Sequence, residues 1–127
     1  MSATPRPAGD RPRPSWLIVI ESDPRTSRRP AEAVRIAAGV AVWKSVDVRI
    51  YLLGPAVQIL AKSRAALLDE DILAQSLPLL AAESDSILID AASGQSVELN
   101  ATEFPYRAVT IKEAAEIAAQ SSTVSRF

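Results

Sequence analysis

The sequence predicts an α/β domain, and three observations carry that class. Hydrophobic residues make up 48% of the 127 residues but aromatic residues only 5%, so the core has to be built from Ala, Val, Leu and Ile, which suits helices packed closely on a sheet. Short, nearly continuous apolar runs at Trp16-Leu17-Ile18-Val19-Ile20 and Ile87-Leu88-Ile89 have the character of strands covered on both faces. Between such runs lie Ala-rich segments whose apolar residues recur at helical spacing. The chain length fits one domain with one core.

Residues 1–14 hold Pro5, Pro7, Pro12 and Pro14 among Arg6, Arg11 and Arg13, a composition that cannot bury enough apolar surface to offset ordering entropy. A disordered tail is expected there, followed by a domain over residues 15–127. The first strand is expected over residues 15–21 and a polar loop over 22–29. Pro30 suits the first turn of a helix that runs to about Ser45. Val34, Ala37, Ala38, Ala41 and Val42 form one stripe of that helix, directed at the sheet. Ile36, Val40 and Trp43 form a second stripe, and a helix apolar on two sides needs two partners. The second partner is either a neighbouring helix of the same subunit or another subunit, with Trp43 as the anchor.

Residues 46–53 repeat the strand pattern, with Val46, Val48, Ile50 and Leu52 alternating against Asp47, Arg49 and Tyr51. Gly54-Pro55 then reads as a strand-to-helix turn. A second helix is expected from Pro55, with Val57, Leu60 and Ala61 inward, ending between Arg64 and Leu68. Asp69-Glu70-Asp71 sits where a helix N-terminus welcomes negative charge, and a metal-binding role for the triplet has little else behind it. Because proline disrupts a helix interior, Pro78 is expected in a first turn, which splits the region into a short turn at 70–75 and a helix over 77–83. A third strand follows over residues 86–90, then a small-residue loop containing Gly94. Residues 97–99 are too short to read as more than a strand start. Thr110-Ile111-Lys112-Glu113 is a capping box. The helix behind it carries Ile111, Ala114, Ala115 and Ala118 on one face and ends near Gln120, and residues 123–127 close the chain as a short strand anchored by Val124 and Phe127.

Several function classes are excluded or disfavoured. With 14 basic and 15 acidic residues the net charge is −1, so no global field holds a polyanion, and no nucleic-acid partner is expected. The sequence has no cysteine and no histidine, which removes thiolate, imidazole and Cys/His-metal chemistry and suits a reducing compartment. The first apolar run is too short for a signal-peptide core, and nothing approaches the ~20 apolar residues of a membrane span, so a cytoplasmic protein with no membrane partner is expected. Asn100-Ala101-Thr102 matches a glycosylation sequon, which without a secretion signal is read as chance.

Four segments in order carry a resemblance to a known family. They are Ser22-Asp23-Pro24-Arg25 after the first strand, Val46-Asp47-Val48-Arg49-Ile50-Tyr51-Leu52-Leu53-Gly54-Pro55 after an Ala-rich helix, Ile87-Leu88-Ile89-Asp90 at the third strand, and Val109-Thr110-Ile111-Lys112-Glu113-Ala114-Ala115-Glu116 leading to Val124-Ser125-Arg126-Phe127. Over residues 15–127 the chain resembles the DsrE/DsrF-like sulfur-relay proteins. The resemblance implies a three-layer α/β/α sandwich with a mostly parallel sheet of about five strands. It also implies assembly as trimers or hexamers and protein partners within a relay complex. Members that carry persulfide hold it on a cysteine in the loop after the third strand. Here that loop reads Asp90-Ala91-Ala92-Ser93-Gly94-Gln95, and an oxygen cannot hold a persulfide in place of a thiolate.

In open α/β sheets ligands bind beyond the carboxyl ends of the strands, which selects the loops at 22–29, 54–55 and 90–95. The candidate ligand-binding residues are therefore Asp23, Arg25, Arg28, Gly54, Asp90 and Ser93. Arg25, Arg28 and Arg29 precede a helix N-terminus and can hold an anion, or else pair with Asp23 and Glu32. Asp90 has an apolar setting that disfavours its charge, yet an aspartate after a strand commonly caps the next turn. No phosphate loop, Ser/His/Asp set or paired carboxylates are present, and no cofactor is expected. The expectation is a non-catalytic DsrE-like domain serving as a structural or regulatory subunit or small-ligand binder. The alternative is an anion- or nucleotide-binding module, or an enzyme, using the same loops.

Overall fold

The computed structural model describes residues 13–99 and 103–127. Most of the expected tail, residues 1–12, and the sequon at 100–102 lie outside the described residues. Five strands, β1 (Ser15–Ile20), β2 (Asp47–Leu52), β3 (Ile87–Asp90), β4 (Arg107–Val109) and β5 (Thr123–Arg126), form one sheet in the order β4-β3-β2-β1-β5. Every pairing is parallel, with Ile18 opposite Ile50, Tyr51 opposite Leu88, and Leu17 opposite Val124. The helices are α1 (Arg29–Trp43), α2 (Glu70–Ala81) and α3 (Ile111–Gln120).

Chain direction and crossover handedness explain the layers. The chain steps from β1 to β4 in one direction across the sheet, then returns past β1 to place β5 on the far edge. Right-handed crossovers put the helices of the outward steps on one face and the helix of the return step on the other. Ile18, Ile20, Ile50, Leu52, Ile87 and Ile89 accordingly pack with Val34, Ala37 and Ala41 of α1 and Leu73, Leu77 and Leu80 of α2. Leu17, Tyr51, Leu88 and Val109 point the other way, against Ala114 of α3. Ile18, Ile20, Ile50 and Leu52 are fully buried, each contributing about 1.5–3 kcal/mol of transfer free energy.

The alternation in β2 has a different meaning from the one read in the sequence. Tyr51, grouped there with the outward-facing residues, is buried because α3 covers that side of the sheet. Val42 is exposed, so the sheet-facing stripe of α1 ends at Ala41, and Lys44 in the left-handed region closes the helix. On the second stripe Ile36 and Val40 are half-buried while Trp43 is 81% exposed.

Two expectations are corrected. The helix after Gly54-Pro55 is a 3-10 segment over Gly54–Leu60 rather than a longer helix. Ala61 turns extended and bridges Leu99, and the Lys62 amide donates to the Glu98 carbonyl at 3.0 Å, which draws the chain out of helical geometry. Residues 70–81 form one helix with Pro78 inside it, not two pieces. Pro78 costs the Ala74 carbonyl its intrahelical donor, but both residues lie on the exposed side, where water replaces it, while Leu73, Leu77 and Leu80 are fully buried on the other. On α3, Ile111, Ala114, Ala115 and Ala118 share one face as expected, with Ile111 71% exposed and Ala115 also exposed, while Ala114, Ile117 and Ala118 pack towards the sheet.

The capping box is formed as expected: the Glu113 amide donates to Thr110 Oγ1 at 3.1 Å, and the Thr110 amide donates to Glu113 Oε1 at 3.0 Å. Those bonds hold the Glu113 carboxyl below its ordinary pKa. No helix among the described residues is long and apolar enough to cross a membrane.

Candidate functional site

The loops that follow β1, β2 and β3 meet at the carboxyl edge of the sheet around a cleft of about 220 Å³. Arg25, Gly54, Pro55, Val57, Gln58, Ser93 and Val97 line it. Local sequence explains how each loop is held. After β1, the Asp23 carboxylate accepts the Arg25 amide at 2.9 Å and the Arg25 Nε and Nη2 at 3.0 Å each. The Asp23 carbonyl accepts the Thr26 and Ser27 amides, and buried Pro24 accepts the Leu68 amide at 2.8 Å. The hydrogen bonds from Arg25 hold the Asp23 carboxyl below its usual range, and the same pairing raises the Arg25 guanidinium.

Gly54 takes φ +61°, a left-handed conformation that a side chain strains. Nothing lies within 4 Å of where its Cβ would stand, so the space above it is open. Its amide donates to Ser93 Oγ at 3.0 Å, which ties the loop after β2 to the loop after β3. Ser93 is set in turn by Asp90: Oδ2 accepts the Ser93 amide at 3.1 Å and the Ser93 hydroxyl at 2.6 Å. A Cβ at Gly94 would stand 2.6 Å from Ile89 Cδ1, the far end of a side chain that would have to turn aside.

Asp90 is 5% exposed, on the face covered by α3. The Tyr51 hydroxyl donates to its Oδ1 at 3.4 Å. Burial, together with the Asp90 charge and hydrogen bond, pushes the Tyr51 hydroxyl up to about 12. Tyr51, Asp90, Ser93 and the Gly54 amide thus form one connected chain from beneath α3 to the floor of the cleft.

Of the six residues selected from the sequence, Arg25, Gly54 and Ser93 line the cleft, Asp23 braces Arg25, and Asp90 braces Ser93 from below. Arg28 does not join them: its Nη1 donates to Asp69 Oδ1 at 2.6 Å, at the N-terminus of α2. Arg29 lies over the Phe127 ring, 5.8 Å from its centroid. The acidic triplet is divided, with Asp69 held by Arg28 and Glu70 Oε1 3.7 Å from Arg64 Nε. Tyr51 went unselected because its position in a strand says which face it occupies but not that Asp90 lies opposite. Gln58 and Val97 carry no local signal.

With Asp23 beside it, Arg25 contributes hydrogen-bond donors to the cleft more than net charge. The volume falls below the 300–1,000 Å³ usual for larger organic ligands, which sets a small-molecule scale. Ser93 is held as a structural hydroxyl between a carboxylate and an amide.

No family model matches the sequence, and no curated protein matches it. Among solved structures, the crystal structure of the YchN protein from E. coli is similar, with a TM-score of 0.73 over 90% of this chain and 99% of that chain. The two share 18% sequence identity, so the likeness is one of fold.

Proposed function

We propose that this chain is a DsrE-like domain that does not carry sulfur and instead binds a small ligand in the cleft at the carboxyl edge of its sheet, acting as a structural or regulatory subunit. The observation that carries the reading is the state of Ser93. It occupies the loop after β3, where the family resemblance puts the sulfur-bearing cysteine, and its hydroxyl is committed to Asp90 and to the Gly54 amide. No thiol exists in the sequence to take its place. The test is incubation with a sulfane-sulfur donor followed by intact mass measurement. An unchanged mass is expected; a stable sulfur adduct overturns the non-relay reading.

A second reading, an anion-binding module, is favoured by the Arg25 guanidinium in the wall of the same cleft. Its size favours a phosphate- or sulfate-sized group over a whole nucleotide. Thermal shift with phosphate, sulfate and nucleotides separates the possibilities, because a ligand of the folded state raises apparent stability. Stabilisation by the small anions, lost in Arg25→Ala, is expected; none at millimolar ligand removes this reading.

A further inference from the structure

The opposite edge of the sheet holds a second cleft, of about 190 Å³, where the amino end of β2 meets the turn between α2 and β3. Its origin is a mismatch of strand starts. β2 pairs with β1 from Asp47 onward but with β3 only from Ile50. The Asp47 amide donates to the Pro14 carbonyl and the Ile50 amide to the Ser86 carbonyl, so successive residues of β2 turn to alternate neighbours. The Val48 backbone therefore turns to the side where β3 has not yet begun. Ala41, Val46 and Val48 give the cleft an apolar wall, and Arg13, Arg49 and Glu83 a charged one.

Charge pairing singles out Arg49. Glu83 Oε1 accepts Lys44 Nζ at 2.6 Å, and Asp47 Oδ1 lies 3.6 Å from Arg13 Nη1. The Lys44 hydrogen bond, with the charges of Lys44 and Arg13, holds the Glu83 carboxyl below its ordinary pKa, so it stays ionised. Arg49 is half-buried and, among the described residues, makes no hydrogen bond or ion pair. A cation at this edge would ordinarily serve the helix ends that finish there. Those ends are already served: the Ser86 hydroxyl donates to the Leu80 and Glu83 carbonyls, the Ser121 hydroxyl to the Ile117 carbonyl at 2.7 Å, and the Lys44 amide to the Ala41 carbonyl at 3.1 Å.

We infer that Arg49 binds the carboxylate of a small monocarboxylate whose short hydrocarbon tail lies on Ala41, Val46 and Val48. A planar guanidinium takes a carboxylate through two parallel hydrogen bonds, and the apolar wall suits a stem rather than a second charge. Asp47 and Glu83 repel a doubly charged group, which favours a carboxylate over phosphate. The volume sets a tail of a few carbons. This site lies at the other end of the strands from the Arg25 cleft and does not depend on what that cleft binds.

Proton–nitrogen NMR of the full chain tests this, with sodium butyrate titrated against sodium chloride at equal ionic strength and against sodium phosphate. Expected are saturable shifts of the Val48 amide and of the Arg49 side-chain N–H with butyrate, none with chloride, and weaker binding of phosphate. Arg49→Gln should weaken butyrate binding at least about tenfold, as the loss of a charge-assisted pair requires. Circular dichroism reports whether that variant folds, and the wild-type shifts read out independently of it. No saturable shift at Val48 or Arg49 overturns the proposal. Undiminished butyrate binding by a folded Arg49→Gln does so too. Shifts confined to Gly54 and Ser93 seat the anion at the carboxyl edge, and phosphate binding as tight as butyrate removes the carboxylate preference; either result equally overturns it.

Discussion

The Ser93 hydroxyl donates to the buried Asp90 carboxylate at 2.6 Å while accepting the Gly54 amide at 3.0 Å, so one side chain fixes two of the three loops that border the cleft. Ser93→Ala removes both bonds and leaves the Asp90 carboxylate short of a partner. The expected loss is about 1–3 kcal/mol in chemical denaturation, with little change in the slope of the transition. A loss within error of zero would show that water replaces the hydroxyl and that the cleft floor is not held by it.

Ser93→Cys extends the comparison to chemistry. It places a thiol in the loop after β3, beside a carboxylate whose charge disfavours thiolate formation. Sulfur uptake from a sulfane donor is therefore expected in this variant but absent in the wild-type chain. The rate should climb with pH, and Asp90→Asn combined with Ser93→Cys should be faster at neutral pH. Mass spectrometry across a pH series measures each.

Tyr51 predicts an alkaline limit to stability. Its pKa is about 12 in the folded protein against 10.0 for an unperturbed tyrosine. Below pH 10 the hydroxyl is protonated in both states and its contribution is complete. Between 10 and 12 the unfolded chain has released the proton while the folded one holds it, so stability falls, by at most about 1.4 kcal/mol per pH unit. Denaturation midpoints over that window should slope downward, and Tyr51→Phe should lose this part of the slope.

Asp23 acts at the opposite end of the scale. Its carboxyl lies below the ordinary 3.8 because Arg25 donates hydrogen bonds to the charged form. Its contribution is present above the unfolded value and is lost as pH falls through the folded one, so the window opens below about pH 4. An NMR titration should place the Asp23 carboxyl below 3.8, and Arg25→Ala should return it towards that value.

Two helix ends give contrasting expectations. Thr110→Ala breaks the capping box at the start of α3 and should cost about 0.5–2 kcal/mol, read as a lower thermal midpoint. Trp43 is 81% exposed at the end of α1, so Trp43→Ala should change monomer stability by less than about 0.5 kcal/mol. If that end of α1 is a subunit contact, the same change lowers the sedimenting mass, as measured by analytical ultracentrifugation.

Local chemistry was legible residue by residue. The Trp16-to-Ile20 run, the Gly54-Pro55 turn, the Ile87-to-Asp90 strand and the Thr110/Glu113 cap depend on neighbours within a few positions, so pattern alone located them. What misled was any residue whose role depends on distant surfaces. Pro78 lies inside α2 because the buried face of that helix outweighs one lost hydrogen bond. The three residues of β4 are a strand only because β3 lies beside them.

By itself the sequence determined the α/β class, the three sheet-edge loops and the absence of a thiol, since each follows from composition or short-range spacing. Only the tertiary structure decided that Arg25, Gly54 and Ser93 share a cleft while Arg28 turns away to Asp69, and that Arg49 lines a cleft at the opposite edge. Those outcomes depend on strand order and crossover hand, which bring together residues far apart in the chain and leave no trace in the spacing around any one of them.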